Sequence, residues 1–163
     1  TKREEEPRNI RTSLNLLVLQ TLRDAPSRPL SEKHWEKVWR TEFRDGGFYG
    51  DIIPELGFLS RKALLSHLAQ AWEVPIVELS KDSIDIAFAR RYLGEKFCKD
   101  SLAIPIAHDD TTKTVKLVMA YPHNPHIREK VYLRSGYVVK PYLALPAEIA
   151  FWVQEAFSSA QPA

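Results

Sequence analysis

Four segments in the first half of the chain carry apolar residues three or four positions apart, as one face of a helix requires. Two of these faces are formed by Leu14, Val18, Leu22, Trp35, Trp39 and Phe43. Turn segments rich in proline and glycine separate the four stretches, and Ser31 and Ser60 are suited to cap the helices that follow them. The pattern predicts a helical region of two helix pairs over residues 11–73.

The second half of the chain alternates between strand and helix patterns. A strand, a helix, two strands joined by a polar turn, a helix, a strand and a last helix are predicted at residues 76–79, 83–97, 102–107, 115–120, 127–136, 137–143 and from Pro146. The βαββαβ order is that of a ferredoxin-like sandwich. We therefore expect an α+β fold, with the helical half packed with a ferredoxin-like half over residues 74–163, and a linker or tail over residues 1–10.

The composition is typical of a folded protein in a reducing compartment. Hydrophobic residues make up 44% of the 163, and the net charge of +2 is too balanced for a broad surface that binds nucleic acid. The single cysteine, Cys98, cannot form an intrachain disulfide, and no apolar run approaches the roughly 20 residues of a membrane span. We expect a cytoplasmic chain, and its start at Thr1 rather than Met suggests a piece of a longer protein.

No set of side chains in the sequence has the pattern of an active site. The chain lacks the Gly-x-x-x-x-Gly-Lys-Ser/Thr segment of P-loop ATPases, and no nucleophile, base and orienting group occur together. His123 and His126 stand beside prolines in an expected loop, without a cysteine pair to support a metal site. The prediction is a domain that is not an enzyme and holds no metal.

A weak internal repeat relates the two helix pairs. The second copy reads Tyr-Gly-Asp-Ile-Ile-Pro-Glu-Leu-Gly-Phe-Leu-Ser over residues 49–60. This segment resembles the second repeat of the MshEN domain, also known as the amino-terminal domain of type II secretion and type IV pilus assembly ATPases. Residues 72–79, 104–106 and 117–136 resemble the second half of that family.

The resemblance implies a non-catalytic regulatory or docking module, and some members of the family bind cyclic di-GMP. In such members arginine meets the phosphates or the guanine edge, glycines permit close approach, and leucines cover the purine faces. Carried over to this sequence, the phosphate partners are Arg11 and Arg44. The remaining residues of the implied site are Gly50, Ile53, Gly57, Leu59, Leu64, Leu68 and Tyr121. Phe48 and Ala71 depart from the pattern, since they stand where binding members carry arginine and glutamine.

Two kinds of parent protein are compatible with this resemblance. One is a bacterial secretion or pilus assembly ATPase with the module in its amino-terminal part. The other is a membrane glycosyltransferase related to phage-adsorption protein B, with the module at its carboxyl end. The implied partner is the cytoplasmic part of an inner-membrane subunit or the catalytic domain of the parent chain, which would bring the domain to the inner membrane.

Overall fold

The computed structural model describes the backbone of residues 2–159 and the side chains of residues 10–158. The chain divides between Glu73 and Val74 into two compact units. We call residues 2–73 the helical unit and residues 74–159 the mixed unit. No helix in the described part of the chain is both long enough and apolar enough to cross a membrane.

The helical unit contains four helices, α1 (Lys2–Asp24), α2 (Glu32–Asp45), α3 (Tyr49–Glu55) and α4 (Arg61–Trp72). The hydroxyl groups of Ser31 and Ser60 accept hydrogen bonds from backbone amides in the first turns of α2 and α4, as the sequence predicts. The apolar faces of the four helices form one core, in which the least exposed side chains are Leu22, Trp35, Val38, Ile53 and Leu64. These faces are buried because they hold the residues spaced three or four apart, except in the second half of α2, where Trp39 and Phe43 are exposed contrary to the pattern.

Helix α1 begins much earlier than the apolar pattern indicates. Residues 1–10 were expected to be a linker or tail, yet α1 is already helical at Lys2. Lysine, arginine and glutamate are good helix formers even where no apolar face is present, and these residues dominate the segment. Absence of apolar periodicity is therefore a poor guide to the start of this helix.

The mixed unit begins with short helical pieces rather than the single helix expected over residues 83–97. A 3₁₀ turn (Lys81–Ser83) precedes α5 (Ile86–Phe88), which continues as a π-helical turn (Ala89–Leu93) before α6 (Glu95–Ser101). The break before α6 is at Gly94, whose φ of +87° no regular helix contains. The remaining elements are β1 (Ala103–Asp109), β2 (Thr114–Met119), α7 (Pro125–Ser135), β3 (Val138–Leu143) and α8 (Pro146–Ser159).

The sheet of the mixed unit has three strands in the order β1-β2-β3. Strand β2 pairs antiparallel with β1 and parallel with β3, so that β2, α7 and β3 form a βαβ unit whose two strands are direct neighbours. The α+β class is confirmed. The four-stranded ferredoxin-like order is not formed, because the strand expected over residues 76–79 is reduced to one bridge between Ile76 and Leu143.

The end of the expected strand bonds to a side chain instead of to a neighbouring strand. The Leu79 amide donates to Oε2 of Glu148 on α8 at 3.1 Å, so this N–H is satisfied outside a strand ladder. The core of the unit lies along β2, where Val115, Leu117, Val118 and Met119 are fully buried. Burial of four of its six residues fits an internal strand, and β2 has a partner on each side.

Candidate functional site

Two polar side chains on α1 face the loop that connects α2 to α3. Arg11 and Asn15 are four residues apart and therefore project from the same face of the helix. The loop contains Gly46 and Gly47, both with positive φ, at +74° and +106°. We call Arg11, Asn15, Gly46, Gly47 and Tyr49 the Arg11 site.

Asn15 holds the loop against α1 with both ends of its amide group. Its Nδ2 donates to the Gly47 carbonyl oxygen at 3.1 Å, and its Oδ1 accepts from the Tyr49 amide at 2.7 Å. Asn15 is only 3% exposed, and a buried amide is stable in the core only when its donors and acceptors are satisfied. The side chain therefore fixes the position of the diglycine segment relative to Arg11.

The guanidinium group of Arg11 lies directly against Gly46. A methyl group added at Gly46 would lie 3.1 Å from Nη1 of Arg11, closer than ordinary van der Waals contact. Among the described side chains, Nε of Arg11 is the buried nitrogen or oxygen that has no hydrogen-bond partner. A partly buried guanidinium with a free donor suits an oxyanion, for which its planar fork of N–H groups is a good geometric match.

Tyr49 connects the Arg11 site to α2. Its hydroxyl donates to Oε1 of Glu42 at 3.3 Å, and its ring meets that of Trp35 with centroids 5.9 Å apart. Burial, together with the negative charge of Glu42, raises the pKa of Tyr49 to about 12, so its hydroxyl stays protonated near neutral pH. The site therefore offers hydrogen-bond donors and one cation, which suits binding and supplies no nucleophile.

The structure separates the residues named from the family resemblance into several groups. Arg44 is exposed on the last turn of α2, and its guanidinium is bonded to its neighbour Asp45, with Nη2 to Oδ2 at 3.0 Å. That hydrogen bond raises the pKa of Arg44. The named residues whose side chains or backbone lie in the core of the helical unit are Gly50, Ile53, Leu64 and Leu68.

The other three named residues are more accessible. Leu59 is half-buried, and Gly57 is exposed with a φ of +79° and open space where a side chain would be. Tyr121 is half-buried and belongs to the mixed unit. Of the named set, Arg11 is the residue that the structure brings against a glycine loop.

Sequence reasoning missed Asn15 and the role of the diglycine segment. The segment Asp45-Gly46-Gly47 indicated a break between helices and nothing more. Asn15 is the one polar residue in the run from Leu14 to Leu19, and it follows Arg11 by one helical turn. A polar residue inside an apolar stripe was the available signal that α1 bonds to a backbone segment.

Comparison with known proteins relates the chain to parts of bacterial assembly machines. The type IV pilus assembly ATPase PilB of Thermus thermophilus is 25% identical over 113 residues, which is 69% of this chain and 13% of PilB. The chain thus spans about an eighth of the length of this relative.

Two solved structures share the fold. A structure of MshE with cyclic di-GMP superposes with a TM-score of 0.61 at 23% identity, covering 85% of this chain and 97% of that one. The amino-terminal domain of XpsE gives a TM-score of 0.50 at 18% identity, covering 78% and 87% of the two chains. At these identities the likeness is one of fold.

The family model of the MshEN domain matches residues 72–163, which is more than half of the sequence. The match includes the whole mixed unit and only the last two residues of the helical unit. The chain belongs to the MshEN domain family.

Proposed function

We propose that this chain is the non-catalytic regulatory domain of a bacterial pilus or secretion ATPase. The MshEN match over residues 72–163 and the similarity to PilB support this parent over a membrane glycosyltransferase. In this role the domain lies in the cytoplasm and reaches the inner membrane through its parent chain or its partner. It transmits a bound signal to the ATPase and does no chemistry itself.

The signal in this proposal is cyclic di-GMP, and Arg11 is its phosphate contact. The observation that carries the assignment is the buried Nε of Arg11, without a partner among the described side chains and beside Gly46, where an added Cβ would lie 3.1 Å from the guanidinium. A phosphate oxygen at this point would satisfy that donor, and the two glycines would let the phosphate approach the backbone. Arg44 would reach the same ligand only after giving up its bond to Asp45.

Isothermal titration and thermal unfolding with cyclic di-GMP, GMP and ATP test the proposal. At 100 times its dissociation constant a ligand stabilises the folded state by about 2.7 kcal/mol, or roughly 5–10 °C in melting temperature for a chain of this size. We expect this shift with cyclic di-GMP alone, and its loss in Arg11→Ala.

Arg40→Ala is the matched control, because Arg40 is an exposed arginine of α2 outside the Arg11 site. It should bind cyclic di-GMP as the unmodified chain does. Absence of heat and of any shift at high micromolar protein concentration would reject the ligand, and an equal loss in both variants would reject the role of Arg11.

A second candidate function is docking to a protein of the same machine, favoured by two aromatic side chains on α2. Phe43 is 94% exposed, and Trp39, one turn earlier on the same face, is 36% exposed. Large apolar side chains that stay in water are typical of interaction surfaces. The proposed partner is the cytoplasmic part of an inner-membrane subunit of the parent machine.

Binding of that cytoplasmic part to the purified chain, measured with Phe43→Ala and with Leu16→Ala, tests the docking role. Leu16 is a matched control, since it is an exposed apolar residue on a different helix. Phe43→Ala should weaken binding by about tenfold or more, as expected for a central aromatic anchor. Equal affinities for both variants would show that α2 is not part of the interface.

A further inference from the structure

The mixed unit contains a small cavity whose walls carry both aromatic and charged groups. The cavity has a volume of about 110 Å³ and lies among Phe88, Arg91, Tyr92, His108, Asp110 and Tyr137. Such a volume accommodates a single carboxylate or phosphate group, since one water molecule occupies about 30 Å³ in the liquid. A nucleotide is too large for it.

Buried aromatic rings make the wall of this cavity rigid. Phe88, only 2% exposed, meets the ring of Tyr137 edge-on with centroids 5.1 Å apart, and its centroid is 4.9 Å from that of Tyr92. Each ring therefore restricts the movement of the next. The polar groups at the mouth of the cavity are held on a fixed support.

Two irregular backbone segments place cations at the cavity. The π-helical turn Ala89–Leu93 presents Arg91, whose guanidinium carbon lies 5.1 Å from the centre of the Tyr92 ring. Lys113 has a left-handed backbone with φ of +54°, and its Nζ lies 5.0 Å from the centre of the Tyr137 ring. Both conformations are less favourable than regular ones, and such segments are enriched at functional sites.

One wall of the cavity carries an anion, the carboxylate of Asp110. Oδ1 of Asp110 accepts the hydroxyl hydrogen of Tyr137 and lies 3.6 Å from Nε2 of His108. The hydrogen bond from Tyr137, helped by the positive charges of Lys113 and Arg91 and by His108, lowers the pKa of Asp110. The groups around this carboxylate therefore favour a negative charge there.

His108 is oriented toward this position by a second carboxylate. Oδ2 of Asp85 bonds to Nδ1 of His108, while Oδ1 of Asp85 accepts from the Phe88 amide at 3.1 Å. With Nδ1 engaged in this way, the other ring nitrogen points at Asp110.

Asp110 is not needed to close its own turn. The turn between β1 and β2 is held by Asp109, whose Oδ1 accepts from the amides of Thr111 and Thr112 at 2.8 and 3.2 Å. The side chain of Asp110 is 72% exposed, so it can leave the cavity without opening a buried core. Its described side-chain hydrogen bond is the one to Tyr137, at the cavity.

We propose that this cavity is a binding site for one small oxyanion, a phosphate or carboxylate group, and that the Asp110 carboxylate in its wall is a built-in competitor for the Tyr137 hydroxyl. An arriving oxyanion displaces Asp110 and takes over the Tyr137 hydroxyl, with Arg91 and Lys113 neutralising its charge. The turn between β1 and β2 then loses its side-chain contact with Tyr137 and keeps its backbone bond to Val138. The site is independent of the proposed cyclic di-GMP contact, which lies in the helical unit.

Titration of the full chain with inorganic phosphate and with acetate, followed by amide NMR shifts at constant ionic strength, tests this site. If the charged Asp110 side chain engages the Tyr137 hydroxyl about nine-tenths of the time, removing that charge strengthens apparent binding by up to about tenfold. Asp110→Asn should therefore bind phosphate about ten times more tightly than the unmodified chain, with shifts centred on Arg91, Lys113 and Tyr137. The stronger of the two anions identifies which oxyanion the site prefers.

Two further variants separate ligand binding from a purely structural contact. Tyr137→Phe and Lys113→Gln, each combined with Asp110→Asn, should lose the gained affinity, whereas Lys96→Gln, at an exposed ion pair elsewhere in the mixed unit, should retain it. If Asp110→Asn changes only the melting temperature, with unchanged or no anion binding, the proposal is wrong. If that variant does not fold, localised phosphate shifts in the unmodified chain that vanish in Lys113→Gln support it, and their absence overturns it.

Discussion

The family match lies in the mixed unit, whereas the proposed binding features lie in the helical unit. The mixed unit carries the family match, and four of the six residues of its strand β2 are buried. The helical unit lies almost entirely outside that match, yet it contains the Arg11 site and the most exposed aromatic side chain, Phe43. Membership of the family therefore rests on one unit, and the proposed ligand rests on the other.

The two units also differ in how their backbone segments are held together. In the mixed unit, strand pairing satisfies the backbone groups on both sides of β2. In the helical unit, the loop between α2 and α3 is fixed by one side chain, that of Asn15. A single substitution can therefore alter the loop at the Arg11 site, while the centre of the sheet has many redundant bonds.

The largest effect is expected from truncating a core leucine in either unit. Leu64 in α4 and Leu117 in β2 are both 0% exposed, and each change to alanine should lower the free energy of unfolding by about 2–5 kcal/mol. Urea unfolding followed by circular dichroism measures the loss. Leu16→Ala and Leu133→Ala, at exposed positions in the same two units, should cost no more than about 0.5 kcal/mol.

The two core truncations also test whether the units differ in how tightly their cores are packed. A loss in Leu64→Ala as small as that in Leu16→Ala would mean that the core of the helical unit is loosely packed. The difference between the units would then lie in packing density rather than in the way the backbone is held.

The next largest effect is expected from removing Asn15, the side chain that fixes the loop between α2 and α3. Asn15→Ala leaves the buried Tyr49 amide without its acceptor, which should cost about 1–3 kcal/mol. It should also weaken any ligand of Arg11, because the diglycine segment is no longer fixed. Thermal unfolding measures the first effect, and cyclic di-GMP titration the second.

Ser13→Ala is the control for this anchor, since Ser13 is exposed on α1 two residues away. It should leave both measurements nearly unchanged. Equal stability of Asn15→Ala and Ser13→Ala would show that water satisfies the Tyr49 amide and that the loop does not depend on the side chain.

A smaller effect separates two glycines that have similar φ values. Gly46 has φ of +74° and ψ of −163°, a region open essentially to glycine, and it lies against Arg11. Gly57 has φ of +79° with open space around it. Gly57→Ala should cost about 1–2 kcal/mol from backbone strain alone, and Gly46→Ala more, because its methyl group also displaces the guanidinium.

Chemical denaturation of both variants measures this difference. If the two substitutions cost the same, the contact between Gly46 and Arg11 contributes nothing to stability. The proposed phosphate position would then be supported only by the unpaired Nε of Arg11.

The sequence predicted those parts of the fold that depend on neighbouring residues. The caps at Ser31 and Ser60 and the hairpin of β1 and β2 follow from short-range patterns, and all are present. The strand at residues 76–79 and the unbroken helix at residues 83–97 were wrong. At the expected strand, the Leu79 amide bonds to Glu148, which is distant in sequence. At the expected helix, the backbone of Gly94 introduces a break.

The candidate site shows the same division. Arg11 was named from the family resemblance, and its helix was clear from the apolar pattern. Its position against Gly46 depends on how α1 meets the α2–α3 loop, and helical periodicity does not specify that contact. The assignment of Leu64 and Leu68 to a ligand cradle stays a prediction, and both side chains are already buried in the core.

The smallest expected effect is a loss of folding stability at alkaline pH. It arises from one buried acidic side chain in each unit. Burial raises the pKa of Cys98 in the mixed unit to about 12 from 9.0, and that of Tyr49 in the helical unit to about 12 from 10.0. The unfolded chain releases these protons at lower pH than the folded chain does. Stability from each group is therefore complete below the unfolded pKa and is lost as the pH rises towards 12.

Cys98 should begin to destabilise the fold about one pH unit before Tyr49 does. Between pH 9 and pH 10 its contribution should fall by about 1 kcal/mol, while that of Tyr49 changes less because its ordinary pKa is 10.0. Urea unfolding at pH 8, 9 and 10 is compared between the unmodified chain and Cys98→Ala. The difference gives the contribution of Cys98 to the free energy of unfolding, because every other titratable group is present in both proteins. Identical pH slopes would mean that the thiol ionises as readily in the folded chain as in the unfolded one, and that burial does not raise its pKa.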